Sequence, residues 1–231
     1  MILANRRRAM MGRVSSDLVP DGYVKDGLIF FLDGLQLCTA SAWTDIVGRK
    51  TFTLYNCTRD ANEKGIVFDG SSSYGEAPGY ISLDFAAETI EAASTGLLPD
   101  NTGVAILNQP LVNGDCGVSL MGGATTTTVP IAYVADGQTR NYITRTRTVT
   151  QHISANKDRV VTNHGNASGN GTRSTSYAGY TENVTTLGSR NGASRAYKFN
   201  GTIYAVRIYN RLLSQAEMLQ NQLADASRYG I

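Results

Sequence analysis

Residues 197–226 read Y-K-F-N-G-T-I-Y-A-V-R-I-Y-N-R-L-L-S-Q-A-E-M-L-Q-N-Q-L-A-D-A, and this stretch indicates a strand followed directly by a helix. Residues 203–209 are rich in β-branched and aromatic side chains, which is the composition of a strand of ordinary length. Ser214 and Glu217 then have the spacing of a capping box, in which each side chain satisfies a free backbone amide at a helix start.

The predicted helix has four side chains close to one stripe: Met218, Leu219, Gln222 and Leu223. Leu213 and Met218 also have the spacing of a hydrophobic staple, which fixes the angle at which the chain enters a helix. A stripe of this kind packs against a larger element. We therefore expect the helix to lie against a sheet or to close the edge of one.

Residues 199–217 resemble the C-terminal signature of the laminin-G-like, concanavalin A-like jelly-roll superfamily, F-x-G-x-I-x-x-x-R-I-Y-x-R-x-L followed by S-x-x-E. Further segments resemble this family in the expected order: G-L-I-F-F-L-D at 27–33, W-T-D at 43–45 with Gly48, V-F-D-G-S-S-S-Y at 67–74, and T-I-E-A at 89–92. The resemblance implies an all-β fold, a jelly-roll β-sandwich of two antiparallel sheets with one short C-terminal helix.

Length and composition agree with one domain of this type. The chain has 231 residues, within the range of about 200 to 250 that all-β sandwiches occupy as one domain. Its 24 glycines suit many short strands joined by tight turns. We expect a jelly-roll domain at residues 23–231, preceded by an extended basic N-terminal arm at residues 1–22.

The arm concentrates the positive charge of the chain. Its predicted docking residues are four arginines and two methionines: Arg6, Arg7, Arg8, Met10, Met11 and Arg13. An arm of this length has too little apolar surface to fold alone. It resembles the leaders of structural proteins from tailed bacteriophages and prophages of gut bacteria, which implies docking on other virion proteins through guanidinium pairing and methionine burial. A disordered and solvated tail is the alternative.

The remaining charge indicates neither a nucleic-acid partner nor a membrane. The net charge is only +2, without a clustered basic surface in the body of the chain. The arginines of the arm are not followed by the apolar run of a secretory signal peptide. No stretch approaches the roughly 18 apolar residues of a membrane span.

The middle of the chain predicts hairpins and loops. The Asp-Gly pair at 136–137 lies between residues 131–134 and an alternating segment at 142–153, which is the signal for a two-residue hairpin. Neither face of the second segment is strongly apolar, so we expect it at a sheet edge or on an exposed face. Residues 162–180 are polar and glycine-rich, which is typical of a long loop or a pair of loops.

A catalytic site is not evident, and we expect that the chain is not an enzyme. The family's glucanases use an E-x-D-x-E strand, whereas the nearest acidic pair here is Glu88 and Glu91, which a strand would turn to opposite faces. Glu91 lies in the family's T-I-E strand and is expected to be structural. His152 and His164 have no acid, cysteine or serine partner in a recognisable motif.

Cofactor and metal sites are not predicted either. Cys38, Cys57 and Cys116 are widely spaced and indicate reduced, partly buried residues rather than a zinc site or a disulfide framework. Related lectin-like domains often bind calcium at a loop rim, so calcium stays open as an alternative. The candidate oxygen donors belong to three aspartates without a linking spacing: Asp69, Asp115 and Asp136.

Aromatic side chains suggest where a sugar would bind. Trp43 lies in the W-T-D strand of the family and is expected in the core. Tyr177 and Tyr180 lie in the glycine-rich loop and are the predicted ligand-binding residues, because aromatic faces offer sugars an apolar surface to bury.

Together these features suggest a phage virion protein: a head fibre, capsid decoration or tail-associated protein, assembled in the cytoplasm of a bacterial host. Its jelly roll would adhere to host-surface glycan, and several copies, or a homo-oligomer, would add avidity. A free bacterial carbohydrate-binding module is the first alternative. A glycosidase is the second, which the missing carboxylate strand disfavours.

Overall fold

A computed structural model shows two antiparallel β-sheets and one C-terminal helix. It describes residues 18–79, 81, 87–95, 103–110, 117–123, 129–130, 133–134, 139–141, 144–145, 152–156, 159–162, 165–167, 170–172, 184–189 and 198–231. The predicted all-β sandwich with a C-terminal helix is confirmed.

The first sheet has the strand order β16-β15-β14-β7-β19-β5-β4, and β1 also pairs with β19. Its strands are β1 (Leu28–Asp33), β4 (Thr58–Arg59), β5 (Ile66–Asp69), β7 (Thr89–Thr95), β14 (His152–Asn156), β15 (Val160–Thr162), β16 (Gly165–Ala167) and β19 (Asn200–Tyr209). We call it the helix-side sheet, because the helix packs on its outer face.

The second sheet has the order β11-β9-β8-β18-β6-β3-β2. Its strands are β2 (Ala42–Thr44), β3 (Thr51–Tyr55), β6 (Tyr74–Pro78), β8 (Gly103–Pro110), β9 (Gly117–Gly123), β11 (Tyr133–Val134) and β18 (Val184–Leu187). Two small ladders join β10 (Val129–Pro130) to β13 (Thr144–Arg145), and β12 (Thr139–Asn141) to β17 (Asn170–Thr172).

Strand β19 is the centre of the helix-side sheet. Its Val206 pairs with Ala92 of β7 on one side and with Leu32 of β1 on the other. A register shift between Ile203 and Ala205 changes which residues face inward. As a result Ile203 and Val206 both lie in the core between the sheets, while Ala205 joins the core under the helix.

Helix α1 (Gln215–Tyr229) begins as the sequence predicts. The Ser214 side chain accepts a hydrogen bond from the Glu217 amide, and the Glu217 side chain accepts one from the Ser214 amide, so the capping box is confirmed. Leu213 and Met218 are both buried in one cluster. Gly230 ends the helix with a φ of +77°, the left-handed conformation that glycine adopts without strain.

Two apolar cores hold the layers together. The larger one lies between the sheets and includes Phe30, Phe68 and Ile208 from one sheet with Trp43 and Phe52 from the other. Trp43 is fully buried, as predicted, and its indole nitrogen donates to the Asp33 carbonyl at 3.1 Å. The smaller core lies under α1 and includes Val19, Phe31, Tyr209, Met218 and Tyr229.

The predictions for the middle of the chain are partly wrong. Strand β11 pairs with β9 instead of forming the expected hairpin with residues 142–153. That segment divides among short strands, and β14 lies between β7 and β15 with all five residues buried, rather than at an edge. The expected loop at 162–180 contains β16 and β17, because glycine-rich polar segments form ladders when a partner supplies the hydrogen bonds.

Candidate functional site

A fully buried ion-pair network joins β19, β7 and α1. Arg207 Nη1 donates to Asp225 Oδ1 at 2.7 Å, and its Nη2 donates to Asp225 Oδ2 at 2.5 Å. The Nε of the same guanidinium donates to Glu91 Oε2 at 2.9 Å. All three side chains are essentially inaccessible to solvent. One cation is therefore shared between two carboxylates with good hydrogen-bond geometry.

Neighbouring polar groups satisfy the other carboxylate oxygens. Ser154 Oγ donates to Glu91 Oε1 at 2.8 Å, and Asn221 Nδ2 donates to Glu91 Oε2 at 2.8 Å. The Tyr23 hydroxyl donates to Asp225 Oδ1 at 2.9 Å, and His152 Nδ1 lies 2.8 Å from Asp225 Oδ2. The network therefore reaches from the N-terminal segment, through the sheet, to the helix.

The buried Arg207 and Asp225 stabilise each other's charged form. Burial opposes ionisation of Arg207, but the attraction of Asp225 and Glu91 outweighs it and raises the pKa of the guanidinium. Burial likewise raises the pKa of Asp225, yet Arg207 and His152 outweigh it and lower that pKa to about 2. The network is closed to solvent, so we assign it to attaching α1 rather than to binding a ligand.

This network corrects the predicted stripe of the helix. The buried residues of α1 are Met218, Asn221, Asp225 and Tyr229. Leu219 and Leu223 are 37% and 71% exposed, so their assignment to the sheet-facing stripe was wrong. The helix turns its polar Asn221 and Asp225 inward because they complete this network: without Asp225, the two terminal nitrogens of the buried Arg207 guanidinium would lose their acceptor.

Two other sequence expectations concern residues of the network. Glu91 was predicted to be structural, and its hydrogen bonds to Arg207, Ser154 and Asn221 confirm this. His152 has no partner in a recognisable sequence motif, but the structure buries it in β14 beside Asp225. Its partner lies 73 positions away in the chain, and no local motif signals such a pair.

An exposed aromatic group lies at one end of the second sheet. Tyr55 ends β3, Tyr74 begins β6, and the two residues are register partners. Their rings are stacked, with centroids 4.6 Å apart and planes at 18°. Lys198 Nζ lies 4.4 Å from the centroid of the Tyr74 ring, and the Tyr55 hydroxyl donates to Glu76 Oε1 at 3.3 Å. We call these four residues the tyrosine rim.

The turn beside the tyrosine rim is held by one carboxylate. Asp69 Oδ1 accepts hydrogen bonds from the amides of Ser71, Ser72 and Ser73 at 2.7 to 2.8 Å. The Ser73 hydroxyl in turn donates to the Asn56 carbonyl at 2.6 Å, which connects this turn to the end of β3. Tyr55 and Tyr74 are therefore presented by a fixed backbone.

Gly70 and Asp69 show how closely this turn is specified. Gly70 has a φ of +73°, and a Cβ there would lie 2.8 Å from the Asn200 Cβ. The slight burial of Asp69 raises its pKa, but hydrogen bonds from the Ser72 hydroxyl and the three serine amides outweigh this and lower the pKa well below its usual range. The carboxylate is thus ionised and committed to the turn.

The tyrosine rim has the groups that a sugar requires. Tyr55 is 37% exposed, so part of its surface is open to an apolar sugar face. A hydroxyl, a carboxylate and an ammonium group lie beside it and are able to exchange hydrogen bonds with sugar hydroxyls. The D-G-S-S-S-Y run signals the turn before Tyr74, but the pairing with Tyr55 depends on strand register and is not visible in the sequence.

The predicted calcium donors are only partly described. Asp69 Oδ1 accepts from three backbone amides, and its Oδ2 accepts from the Ser72 hydroxyl, so this carboxylate holds a turn. Asp115 and Asp136 lie outside the described residues. Within the described part of the chain, no group of three or more histidine, cysteine or acidic side chains is placed to hold a metal ion.

Several other predicted residues lie outside the described part of the chain. They are Tyr177 and Tyr180, His164, Cys116, and the arm residues Arg6, Arg7, Arg8, Met10, Met11 and Arg13. Cys38 and Cys57 are described, and both are free thiols. In the described residues, no helix has the length and apolar character required to cross a membrane.

Comparison with known proteins finds similarity in structure only. The chain matches no protein-family model and no curated protein sequence. The Trypanosoma rangeli sialidase in complex with sialic acid matches 86% of this chain with 18% identity and a TM-score of 0.55. The binding domain of botulinum neurotoxin DC in complex with SialylT matches 87% of it with 10% identity and a TM-score of 0.54.

These matches cover only part of the known proteins. The chain spans 33% of the sialidase chain and 52% of the toxin chain. A structure of botulinum neurotoxin type C, whose cell entry depends on interaction with two ganglioside molecules, is similar over 51% of its length, with 9% identity and a TM-score of 0.53.

The expectation that the chain is not an enzyme is corrected by these matches. Proteins with a similar fold include sialidases, which are enzymes, so the missing E-x-D-x-E strand excludes one catalytic arrangement and not catalysis as such. At 18% identity or below, the likeness assigns no activity to this chain. The comparisons show an all-β sandwich fold that the chain shares with a sialidase and with toxin binding domains.

Proposed function

We propose that this chain is a glycan-binding module of the laminin-G-like, concanavalin A-like type, and that the tyrosine rim contacts the sugar. The observation that carries the proposal is the stacked and partly exposed Tyr55–Tyr74 pair on a fixed turn. The stack holds the Tyr55 ring in one position with part of its apolar surface exposed, and the neighbouring Lys198 and Glu76 add polar groups beside it.

The structural matches support the same class of ligand. One of the similar sialidase structures contains sialic acid, and one of the similar toxin domains contains SialylT. The tyrosine rim combines one ammonium group with one carboxylate, so its charge does not by itself select an acidic sugar over a neutral one. Both kinds of glycan belong in the first binding experiment.

The expected affinity of one rim is low. The rim offers few contacts: the exposed part of the Tyr55 ring and the polar groups of Glu76 and Lys198 beside it. Display of several copies would convert weak contacts into useful avidity without a new contact. This reasoning favours a module that acts in multiple copies.

The test is a glycan array with neutral and sialylated oligosaccharides, followed by calorimetric titration of the best ligand. Tyr55→Ala is expected to lower the affinity at least tenfold, whereas Tyr55→Phe keeps the ring and most of the binding. Leu223→Gln, an exposed change on α1, is the control and is expected to bind normally. Equal binding by Tyr55→Ala and the parent protein would remove the rim from the site.

We also propose that the module is displayed on a phage particle, attached through its N-terminal arm. Support comes from the sequence of the arm, with Arg6, Arg7, Arg8 and Arg13 around Met10 and Met11, and from its resemblance to phage leaders. Mass spectrometry of density-purified particles from the source culture tests this. Arm and domain peptides at a fixed ratio to the major capsid protein are expected, and their recovery only from the particle-free fraction would favour a free module.

A further inference from the structure

The outer face of the second sheet continues from the tyrosine rim along β3. The side chains of this strand alternate between exposed and buried positions, and the exposed ones are Thr51, Thr53 and Tyr55. The two between them, Phe52 and Leu54, are buried in the core between the sheets. Because a strand rises about 3.4 Å per residue, Thr51 lies roughly 14 Å from Tyr55 along the strand. The rim is therefore at one end of a longer row of exposed side chains.

The strands on either side of β3 widen this row into a strip. Ala42 of β2 and Glu76 of β6 are both register partners of Thr53, and both are partly exposed. Thr44 and Thr51 are register partners as well, and their hydroxyl oxygens lie 2.9 Å apart. We call the outward-facing side chains of these five residues the threonine strip. It adjoins the tyrosine rim and shares Glu76 with it.

The threonine strip has a border along β18. Thr186 of β18 is the register partner of Glu76 and belongs to the same face of the sheet. It is nevertheless fully buried, and its hydroxyl donates to the Ser189 carbonyl at 2.6 Å. Exposure along this row therefore falls from Thr53 through Glu76 to Thr186. The outer face is open over β2, β3 and β6 and covered at Thr186, so the strip is bounded on its β18 side.

The threonine strip offers hydroxyl groups and little charge. Threonine hydroxyls donate and accept hydrogen bonds, as the hydroxyls of a sugar do. Glu76 is the one ionisable residue of the strip, and its carboxylate repels an anionic chain that passes over it. At the end away from the rim, the Lys50 ammonium donates to the carbonyls of Pro78 and Gly79 at 2.6 and 3.2 Å, so it is engaged by the backbone. The strip therefore favours a neutral ligand that is rich in hydroxyls.

We propose that the threonine strip binds the units of a linear, neutral oligosaccharide that follow the unit stacked on Tyr55. This inference rests on the proposed glycan binding at the tyrosine rim. It specifies the glycan as an extended neutral chain, in contrast to a single terminal sugar or a sulfated polyanion. The row from Tyr55 to Thr51 is longer than one sugar ring, so the hydroxyls of Thr53 and Thr51 add hydrogen bonds only when the chain has several units.

The length of the oligosaccharide tests this inference. Cello-, xylo-, malto- and manno-oligosaccharides of two to six units, with a heparin hexasaccharide beside them, are titrated into the full chain by calorimetry. In at least one neutral series we expect the affinity to rise at least tenfold from two units to six, and we expect heparin not to bind. Thr51→Val removes one hydroxyl at nearly constant shape. It is expected to lower the hexasaccharide affinity about two- to tenfold, the effect of one hydrogen bond, and to leave the disaccharide affinity unchanged.

The matched control is Thr58→Val, the same substitution at an exposed strand threonine of the helix-side sheet, and it is expected to bind like the parent. Equal affinity for two and six units, equal losses in the two valine variants, or binding of heparin or of sialylated glycans alone would overturn the strip. Each of these results leaves the rim in place as long as Tyr55→Ala still lowers the affinity. If Tyr55→Ala has no effect, or if no glycan binds, the proposed function fails as well.

Discussion

Arg207 and Asp225 form a two-point ion pair across the interface of β19 and α1, with N–O distances of 2.7 and 2.5 Å and no solvent access to either side chain. The pair fixes the helix to the sheet at one position and in one orientation. Because a single guanidinium also serves Glu91, removal of Arg207 would leave two buried carboxylates without their cation.

Arg207→Met is expected to lower the free energy of unfolding by about 3 to 5 kcal/mol, because breaking a buried ion pair leaves uncompensated charge. Urea unfolding at neutral pH measures this. Arg211→Met is the matched control: Arg211 is partly exposed and pairs with Glu217 and Asp26, and an exposed pair contributes about 0 to 1 kcal/mol. Similar losses in both variants would mean that the network does not hold the helix.

The network also predicts how stability depends on pH. The pKa of Asp225 is lowered from 3.8 to about 2 in the folded chain, chiefly because Arg207 and His152 outweigh burial. The contribution of the ionised Asp225 to the free energy of unfolding is therefore complete above about pH 4 and is lost as the pH falls toward 2. Chemical unfolding at a series of pH values should show stability falling in this window.

Asp225→Asn is the control for this pH dependence. The variant has a neutral amide at the position, so its stability is expected to be lower at neutral pH and to fall less steeply between pH 4 and 2. If the free energy of unfolding of Asp225→Asn falls with pH as steeply as that of the parent chain, the acid sensitivity belongs to other carboxylates.

The capping box predicts a smaller effect at the start of α1. Ser214→Ala removes the acceptor for the Glu217 amide and is expected to cost about 1 kcal/mol of stability. Ser214→Asp restores an acceptor and should retain most of the stability. Thermal unfolding compares the three proteins, and a Ser214→Asp variant no more stable than Ser214→Ala would show that the cap contributes little.

The sequence predicted this helix start because Ser214 and Glu217 are close together in the chain. It could not predict the buried face of the helix, because Asp225 is turned inward by Arg207, 18 residues away, and Asn221 by Glu91, 130 residues away. Hydropathy alone predicts that Leu219 and Leu223 are on the buried face of the helix. The buried guanidinium of Arg207 requires a carboxylate instead, and Asp225 is therefore on that face. The tyrosine rim was missed for a similar reason, since Tyr55 and Tyr74 meet only through the register of β3 and β6.

The turn before Tyr74 provides the last prediction. Asp69→Ala removes the acceptor for three serine amides, while Tyr55 and Tyr74 remain in the chain. If the rim works as a preformed platform, the loosened turn should lower glycan affinity several-fold, because part of the binding energy is then spent on ordering the backbone.

Calorimetric titration with the ligand selected on the glycan array measures this effect. Asp69→Asn keeps one oxygen acceptor and is expected to bind with intermediate affinity, since a neutral amide accepts weaker hydrogen bonds than a carboxylate. Asp60 serves as the matched control, because its carboxylate accepts from the amides of Lys64 and Gly65 in a different turn. Asp60→Ala should bind like the parent, and an equal loss in both alanine variants would mean that general stability, rather than the fixed position of the tyrosines, controls binding.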